Sequence, residues 1–174
     1  MARKKNLLLV DFDDTLFFTK EGIELSSKEV LGRRIDREAV RKLPNDIKEK
    51  IYKLAQSKYT KYSKLNKTLY KVISKSVDYD IFILTARTNK TRIFTEKLLS
   101  TNRVNYDELI IRKSYKIKDE LWKSNIVKKL SKSYKKIKLY DDKEDNICYI
   151  SENNREKNIE FYIVSNNKIE RYKD

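Results

Sequence analysis

The sequence predicts an α/β protein built on a largely parallel sheet. Two observations carry that expectation. Short apolar runs at 6–10, 81–84, 107–111 and 136–140 alternate with longer stretches of helical spacing, the pattern of strands joined through helices. Three of those runs stop abruptly at polar residues: Val10 at Asp11, Leu84 at Thr85, and Tyr140 at Asp141. Ligands of open parallel sheets bind beyond the carboxyl ends of the strands, so these side chains should gather at one edge. With 174 residues the chain is long enough for one real core and short for two, so 1–174 is read as a single domain.

The run Asn6-Leu7-Leu8-Leu9-Val10 reads as a buried strand that opens into Asp11-Phe12-Asp13-Asp14-Thr15. Asp11 and Asp13 are two residues apart, so in near-extended chain they share one side. Two carboxylates there repel unless a cation lies between them or one keeps a proton. A hard divalent ion such as Mg2+ suits oxygen donors. Residues 16–20 should turn back over the acids. Residues 21–45 have weak periodicity and hold Gly22, Gly32 and Pro44, all the glycine and proline of the chain. A flap or small cap is expected there, inside an insertion spanning 21–75. A helix should follow, with Asn45 as N-cap and Ile47, Ile51, Leu54 and Ala55 on one face. A second should run from about Asn66 with Leu69, Val72 and Ile73 inward.

After the strand at 81–84 comes Thr85-Ala86-Arg87, a hydroxyl and a guanidinium at a strand end. By its position alone Thr85 could instead cap the next helix, about 90–101, which should bury Ile93, Leu98 and Phe94. Beyond the strand at 107–111, a helix from Asp119 should turn Leu121, Trp122, Ile126, Val127 and Leu130 inward. Lys123 lies in its first turn, where a cation opposes the helix dipole unless acids answer it. Lys118, just before the helix, is the alternative. The strand at 136–140 closes in Asp141-Asp142-Lys143-Glu144-Asp145. Asp145 reads as the cap of a short helix from Asn146, with Cys148 as a small buried side chain. Residues 159–164 and 168–172, around Asn166-Asn167, read as a strand and hairpin.

Composition narrows the chemistry. There is no histidine, which removes Ser-His-Asp, Cys-His and His-ligated zinc sites and leaves carboxylates as the catalytic groups. One cysteine excludes an internal disulfide framework and fits a reducing compartment. The basic start at 1–5 leads into an apolar run too short for a signal-peptide core, and no later run could span a membrane. A soluble, cytoplasmic protein is expected. The net charge of +15 favours anionic partners: nucleic acid, nucleotides or phosphorylated metabolites. A lysine-rich genome would raise the charge equally. Lys64, Lys67, Lys71 and Lys75 form one helical stripe, which is either a solvated face or a phosphate-binding one. Tyr52, Tyr59 and Tyr62 are expected to be half-buried packing residues rather than stacking platforms for bases.

Taken together, Asp11-Phe12-Asp13-Asp14-Thr15, Leu84-Thr85-Ala86-Arg87, Lys123 and Asp141-Asp142 resemble the four ordered motifs of the haloacid dehalogenase (HAD) superfamily of phosphatases. The resemblance spans about 6–164. The Leu-Thr-Ala-Arg form is similar to that of nucleotidases and polynucleotide phosphatases, and the Tyr140-Asp141-Asp142-Lys143-Glu144-Asp145-Asn146 context to that of polynucleotide 3'-phosphatases. Asp14 stands where the family usually has Gly, and the cap region matches no recognisable form. The resemblance implies a three-layer, Rossmann-like HAD fold and a Mg2+-dependent phosphomonoesterase. In it Asp11 would form an aspartyl-phosphate, and Asp13 would serve as acid and then base. The metal would be held by Asp11, the Asp13 backbone carbonyl, and Asp142 or Asp141, with the Asp141 and Asp145 pairing as the other register. Thr85 and Lys123 would bind phosphoryl oxygens, and Arg87 would contact phosphate or substrate. A phosphate on a nucleotide or nucleic-acid end is the implied substrate. The alternatives are a general small-metabolite phosphatase and a non-catalytic nucleic-acid-binding protein. The stretch holds no P-loop, so no kinase activity is expected from it, and the sequence leaves the oligomeric state unassigned.

Overall fold

From Leu7 to Val10, β1 (Asn6–Asp11) is wholly buried, which fixes it at the middle of the sheet. The computed structural model describes residues 5–113, 117–156 and 158–173. The basic residues 1–4 and Lys116 therefore lie outside the described residues. After β1 come β2 (Phe17–Phe18), α1 (Lys20–Leu31), α2 (Arg37–Arg41), α3 (Asn45–Gln56), β3 (Lys64–Leu65) and α4 (Lys67–Ser74). The chain returns to the sheet as β4 (Tyr79–Thr88), then α5 (Arg92–Thr101), β5 (Glu108–Arg112), α6 (Asp119–Ser131) and β6 (Lys136–Asp141). It ends with α7 (Glu144–Asn153), β7 (Ile159–Ser165) and β8 (Lys168–Arg171).

The strand order is β5-β4-β1-β6-β7-β8. All pairings are parallel except β7 with β8. From β1 the chain winds outward through β4 to β5, then crosses back to β6 on the other side. The winding reverses between β1 and β6, the place where an open α/β sheet leaves a crevice for ligand. Helices cover both faces, giving three layers. Leu8, Val10 and Phe12 pack with Leu69 and Ile73 of α4 and Leu98 and Leu99 of α5. Leu7 and Leu9 point the other way, against Val127 of α6 and Ile147 and Ile150 of α7. Truncating any one of these leucines to alanine would cost about 2–5 kcal/mol. A third cluster, Ile23, Val40, Ile51 and Ala55, joins α1, α2 and α3 to one another. No described helix is long and apolar enough to cross a membrane.

Several local expectations change. The weakly periodic stretch 21–45, expected as a flap or small helical cap, holds a full helix over 20–31, closed by Gly32 at φ 74 in the left-handed region. Pro44 occupies the N-cap of α3 and Asn45 its first turn, with a proline φ of −52 that leads into the helix. Ile93 is 70% exposed, Phe94 lies at the surface and Leu121 is 41% exposed. Leu98 and Val127 are buried as expected, with Trp122, Ile126 and Leu130 packed against the core, and Thr95, Leu99, Lys123, Ser124 and Ser131 join the buried faces of α5 and α6. The last helix begins at Glu144 with Lys143 as cap residue, so Asp145 sits exposed in its first turn. Cys148 is half-buried. Tyr52 and Tyr59 are half-buried as expected, whereas Tyr62 is 39% exposed.

Candidate active site

Strand parity decides which side of the sheet receives the first acid. Asp11 continues the Leu7–Leu9 series, so it emerges on the α6–α7 face, while Phe12 enters the opposite core. On that face α6 presents Lys123, a lysine only 1% exposed. Its Nζ donates to Asp11 Oδ1 at 2.7 Å and to Asp141 Oδ2 at 2.6 Å, with Asp119 Oδ2 at 3.7 Å. Burial opposes the charge on Lys123, yet Asp11, Asp141 and Asp119 hold its pKa well above the ordinary lysine value. It is a fixed cation. Thr15 places its hydroxyl between acids, 3.0 Å from Asp11 Oδ2 and 3.2 Å from Asp142 Oδ1, and can donate to one at a time. Asn146 Nδ2 lies 3.3 Å from both oxygens of Asp141, and the Lys143 backbone N–H donates to Asp141 Oδ1 at 2.9 Å.

Asp11, Asp141 and Asp142 bring carboxylate oxygens within 4.8 Å of one another. One buried lysine against three carboxylates leaves this cluster short of positive charge. The consequence appears in proton affinity. Burial, then Asp141, pushes Asp142 up to about 6. Burial and the carboxylates of Asp141, Asp142 and Asp119 push Asp11 up as well, against the pull of Lys123. The donors are all hard oxygens, as a divalent cation such as Mg2+ requires, and such an ion would supply the missing charge.

Asp13 is set apart from this cluster. The pairing of β4 with β5 shifts register between Thr85 and Thr88, and the bulge re-aims Arg87. Arg87 Nη2 and Nε donate to the two oxygens of Asp13 at 2.8 and 3.0 Å. Its Nη1 reaches the hydroxyls of Thr60 and Thr95, at 3.3 and 3.2 Å, and the guanidinium lies 4.4 Å from the Phe12 ring centre. Burial opposes ionisation of Asp13, but the Arg87 charge and hydrogen bond outweigh it and lower its pKa. Thr85 is fully buried at the end of β4, where its Oγ1 accepts from the Arg87 backbone N–H at 3.2 Å.

Above the acids lies a cavity of about 160 Å³. Asp11, Asp13, Ala86 and Asp119 form its floor, and Arg37, Arg41, Tyr52 and Gln56 come from α2 and α3. Arg37 pairs with Asp14 Oδ2 at 2.8 Å and donates to the Thr19 hydroxyl. Asp14 also accepts from the Thr19 N–H and Oγ1, at 2.8 and 2.7 Å, and has φ 65. That left-handed conformation is where glycine is at ease and aspartate is tolerated. A larger groove of about 760 Å³, between α7 and the β7–β8 edge, holds none of the clustered acids.

No family model matches the sequence, and no curated relative does. Solved structures do match. A chain of the Pnkp1/Rnl/Hen1 RNA repair complex aligns with TM-score 0.64 at 20% identity, over 95% of this chain and 44% of that one. A second structure of a Pnkp1/Rnl/Hen1 complex gives 0.61 at 19%, over 97% and 48%. A HAD-superfamily hydrolase of subfamily IA from Geobacter sulfurreducens gives 0.59 at 11%, over 91% and 88%.

The fold is that of the HAD hydrolases.

At these identities the likeness is one of architecture, and this chain spans less than half the length of the two Pnkp1-complex chains. On the HAD fold, the structure brings Asp11, Lys123, Asp141 and Asp142 into one cluster. Lys118 is exposed at the start of α6, and Asp145 lies outside the cluster. Arg87, assigned by sequence to phosphate or substrate, has its guanidinium on Asp13 and two threonine hydroxyls. Sequence reasoning assigned no role to Asn146, Asp119, Lys143 or the Arg37–Asp14 pair. For Asp119 the signal was there: it stands four residues before Lys123, one helical turn away.

Proposed function

We propose that the chain is a Mg2+-dependent phosphomonoesterase working through an aspartyl-phosphate on Asp11, with a phosphate on a nucleotide or nucleic-acid end as substrate. The observation that carries this reading is Asp11 held at 2.7 Å by a buried Lys123, with Asp141 and Asp142 beside it, beneath a cavity that admits a phosphoryl group. Residues 21–75 are the proposed insertion, with α1–α3 as its cap. The single cysteine suits a reducing, cytoplasmic setting.

The Asp11 carboxylate attacks phosphorus, and the ester P–O bond breaks. Asp13 delivers the proton that the leaving oxygen takes up. Asp13 then removes a proton from the water that attacks the phosphorus, freeing phosphate and restoring Asp11. Lys123 and Thr85 meet equatorial oxygens of the phosphoryl group. Arg87 fixes the direction of the Asp13 carboxylate. Asp11, Asp141, Asp142 and the Asp13 carbonyl would hold Mg2+, which when bound neutralises charge on the phosphoryl oxygens and on the acids.

The cavity is below the ~300 Å³ that encloses a drug-sized ligand, which suits a substrate whose bulk stays outside as well as a compact one. Two other features favour a nucleic-acid end. Lys58 and Lys61 lie over the rings of Tyr59 and Tyr62, at 5.2 and 5.3 Å, beside the Thr60 that Arg87 contacts. Two similar chains come from Pnkp1/Rnl/Hen1 complexes, one of them described as an RNA repair complex. A second reading, a phosphatase of small metabolites, is favoured by the same small cavity, because a compact ester also fits.

The test is phosphate release with and without Mg2+, with Asp11→Asn as control. The panel holds p-nitrophenyl phosphate, nucleoside 3'- and 5'-monophosphates, and oligonucleotides phosphorylated at either end. Higher kcat/KM on oligonucleotides by orders of magnitude supports the nucleic-acid end. Equal rates on mononucleotides move the assignment to small metabolites, and activity retained in the Asp11→Asn protein overturns the mechanism.

A further inference from the structure

We propose that Arg41 is a second anion subsite, selecting substrates that carry another phosphate next to the one removed. The proposal deepens the phosphatase reading and rests on it.

Four cations line the cavity: Arg37, Arg41, Arg112 and Lys143. Three are engaged. Arg37 holds Asp14 at 2.8 Å, Lys143 holds Asp119 at 3.3 Å, and Arg112 donates to the Ile117 carbonyl at 3.2 Å with Asp119 3.9 Å away. Beneath them Lys123 and Arg87 are held by Asp11, Asp141 and Asp13. Among the described residues, the Arg41 guanidinium makes no ion pair or hydrogen bond, yet it shares one cavity with Asp11 and Asp13. The other cap residues there, Tyr52 and Gln56, are uncharged. The Tyr52 ring faces Arg37, 5.9 Å from its centre, and Gln56 Oε1 lies 3.4 Å from the Thr91 hydroxyl that donates to it.

Arg41 is also well placed. Its neighbour Val40 is fully buried in the α1–α3 cluster, and Asp36 caps α2 through the Ala39 N–H at 2.8 Å. The backbone that carries Arg41 is therefore anchored, while its side chain is exposed. A residue that is solvent-exposed and still lines the cavity stands at its mouth. A phosphoryl group on Asp11 fills the small space below, and the next group of the substrate passes Arg41. The planar guanidinium fork matches a phosphate and has no carboxylate of its own to answer it. A lone monoester leaves it unused. A nucleoside 3',5'-bisphosphate or a 3'-phosphorylated oligonucleotide brings the second anion.

The experiment compares kcat/KM of the unaltered protein and of Arg41→Gln on four substrates at fixed salt. These are p-nitrophenyl phosphate, a nucleoside 3'-monophosphate, a nucleoside 3',5'-bisphosphate and a 3'-phosphorylated dinucleotide. The expected result is that the preference for two-phosphate over one-phosphate substrates falls by about tenfold or more in the variant, the worth of one charged hydrogen bond. A loss shared by the dinucleotide assigns the anion to a phosphodiester, and a loss confined to the bisphosphate assigns it to a second monoester. An unchanged preference overturns the subsite alone. No phosphate release by the unaltered protein overturns the phosphatase reading, and the subsite with it.

Discussion

Arg87 closes a two-pronged hydrogen bond on Asp13, at 2.8 and 3.0 Å, across 74 residues of sequence. The arginine is 1% exposed and the aspartate 17%. The pair joins the bulge of β4 to the loop after β1. It keeps Asp13 ionised and aimed, which suits the water-activating half of the proposed cycle, and it must yield when Asp13 carries a proton.

Replacing Arg87 with lysine keeps the charge and loses the fork. Turnover is expected to fall by about 10²-fold, in the range for a misdirected general acid–base. KM should change much less, because the guanidinium is already engaged by Asp13 and the Thr60 and Thr95 hydroxyls. Steady-state kinetics on p-nitrophenyl phosphate checks this, and a rise in KM with kcat intact would return Arg87 to substrate binding.

Lys123→Met removes the one ammonium shared by Asp11 and Asp141. Breaking a buried pair from one side costs about 3–5 kcal/mol, read as a lower urea midpoint. Saturating Mg2+ should recover part of this loss, since it supplies charge to the same oxygens. A midpoint in EDTA within experimental error of the unaltered protein would contradict the bridge.

Asp119 sets a pH dependence. Burial opposes its charge, but Lys123, then Lys143 and Arg112, outweigh that and lower its pKa. A carboxylate lowered on folding stabilises the native state above its unfolded pKa of about 3.9. That stability is lost as pH falls through the lower folded value. Asp119→Asn is therefore expected to be less stable at pH 7 and to lose less on acidification. Urea midpoints between pH 7 and pH 3 test it, and parallel curves for the two proteins would refute it.

Asp14 combines a left-handed backbone with three polar ties, two from Thr19 and one to Arg37. Asp14→Ala loses the ties and keeps the conformational cost, whereas Asp14→Gly loses the ties alone. The alanine variant should be the less stable by about 1 kcal/mol. Equal urea midpoints would mean that the loop relaxes out of this conformation.

The sheet and the acid cluster were legible for one reason. A short apolar run that ends in an acid states both burial and the position of the strand end in a single stretch, as at Val10-Asp11 and Tyr140-Asp141. Lys123 could be singled out because a cation near the start of a helix needs nearby acids. What stayed hidden lies where buried faces are polar. α1 buries Gly22, Ser26 and Ser27 beside Ile23, and the serine hydroxyls are satisfied by the carbonyls of Gly22 and Glu24. Its apolar periodicity is correspondingly faint. In α5 and α6, Leu98, Val127, Trp122, Ile126 and Leu130 meet the core as their apolar character implies, but Thr95, Lys123, Ser124 and Ser131 also face inward while Ile93 and Leu121 face out, so hydrophobicity alone blurred the buried face. The roles of Arg37 and Arg41 had no signal, since a chain with 41 lysines and arginines gives no one of them distinction.

β1 is hydrogen-bonded on both sides by strands that come later in the chain, β4 and β6. Lys123 is 112 residues beyond Asp11, and its other partner Asp141 is the last residue of β6. During synthesis Asp11 therefore leaves the ribosome before Lys123 and Asp141, and its buried ion pair waits for both. Until β6 docks on β1, neither Asp141 nor the crevice between the two strands exists, so the acid cluster is assembled only late in folding.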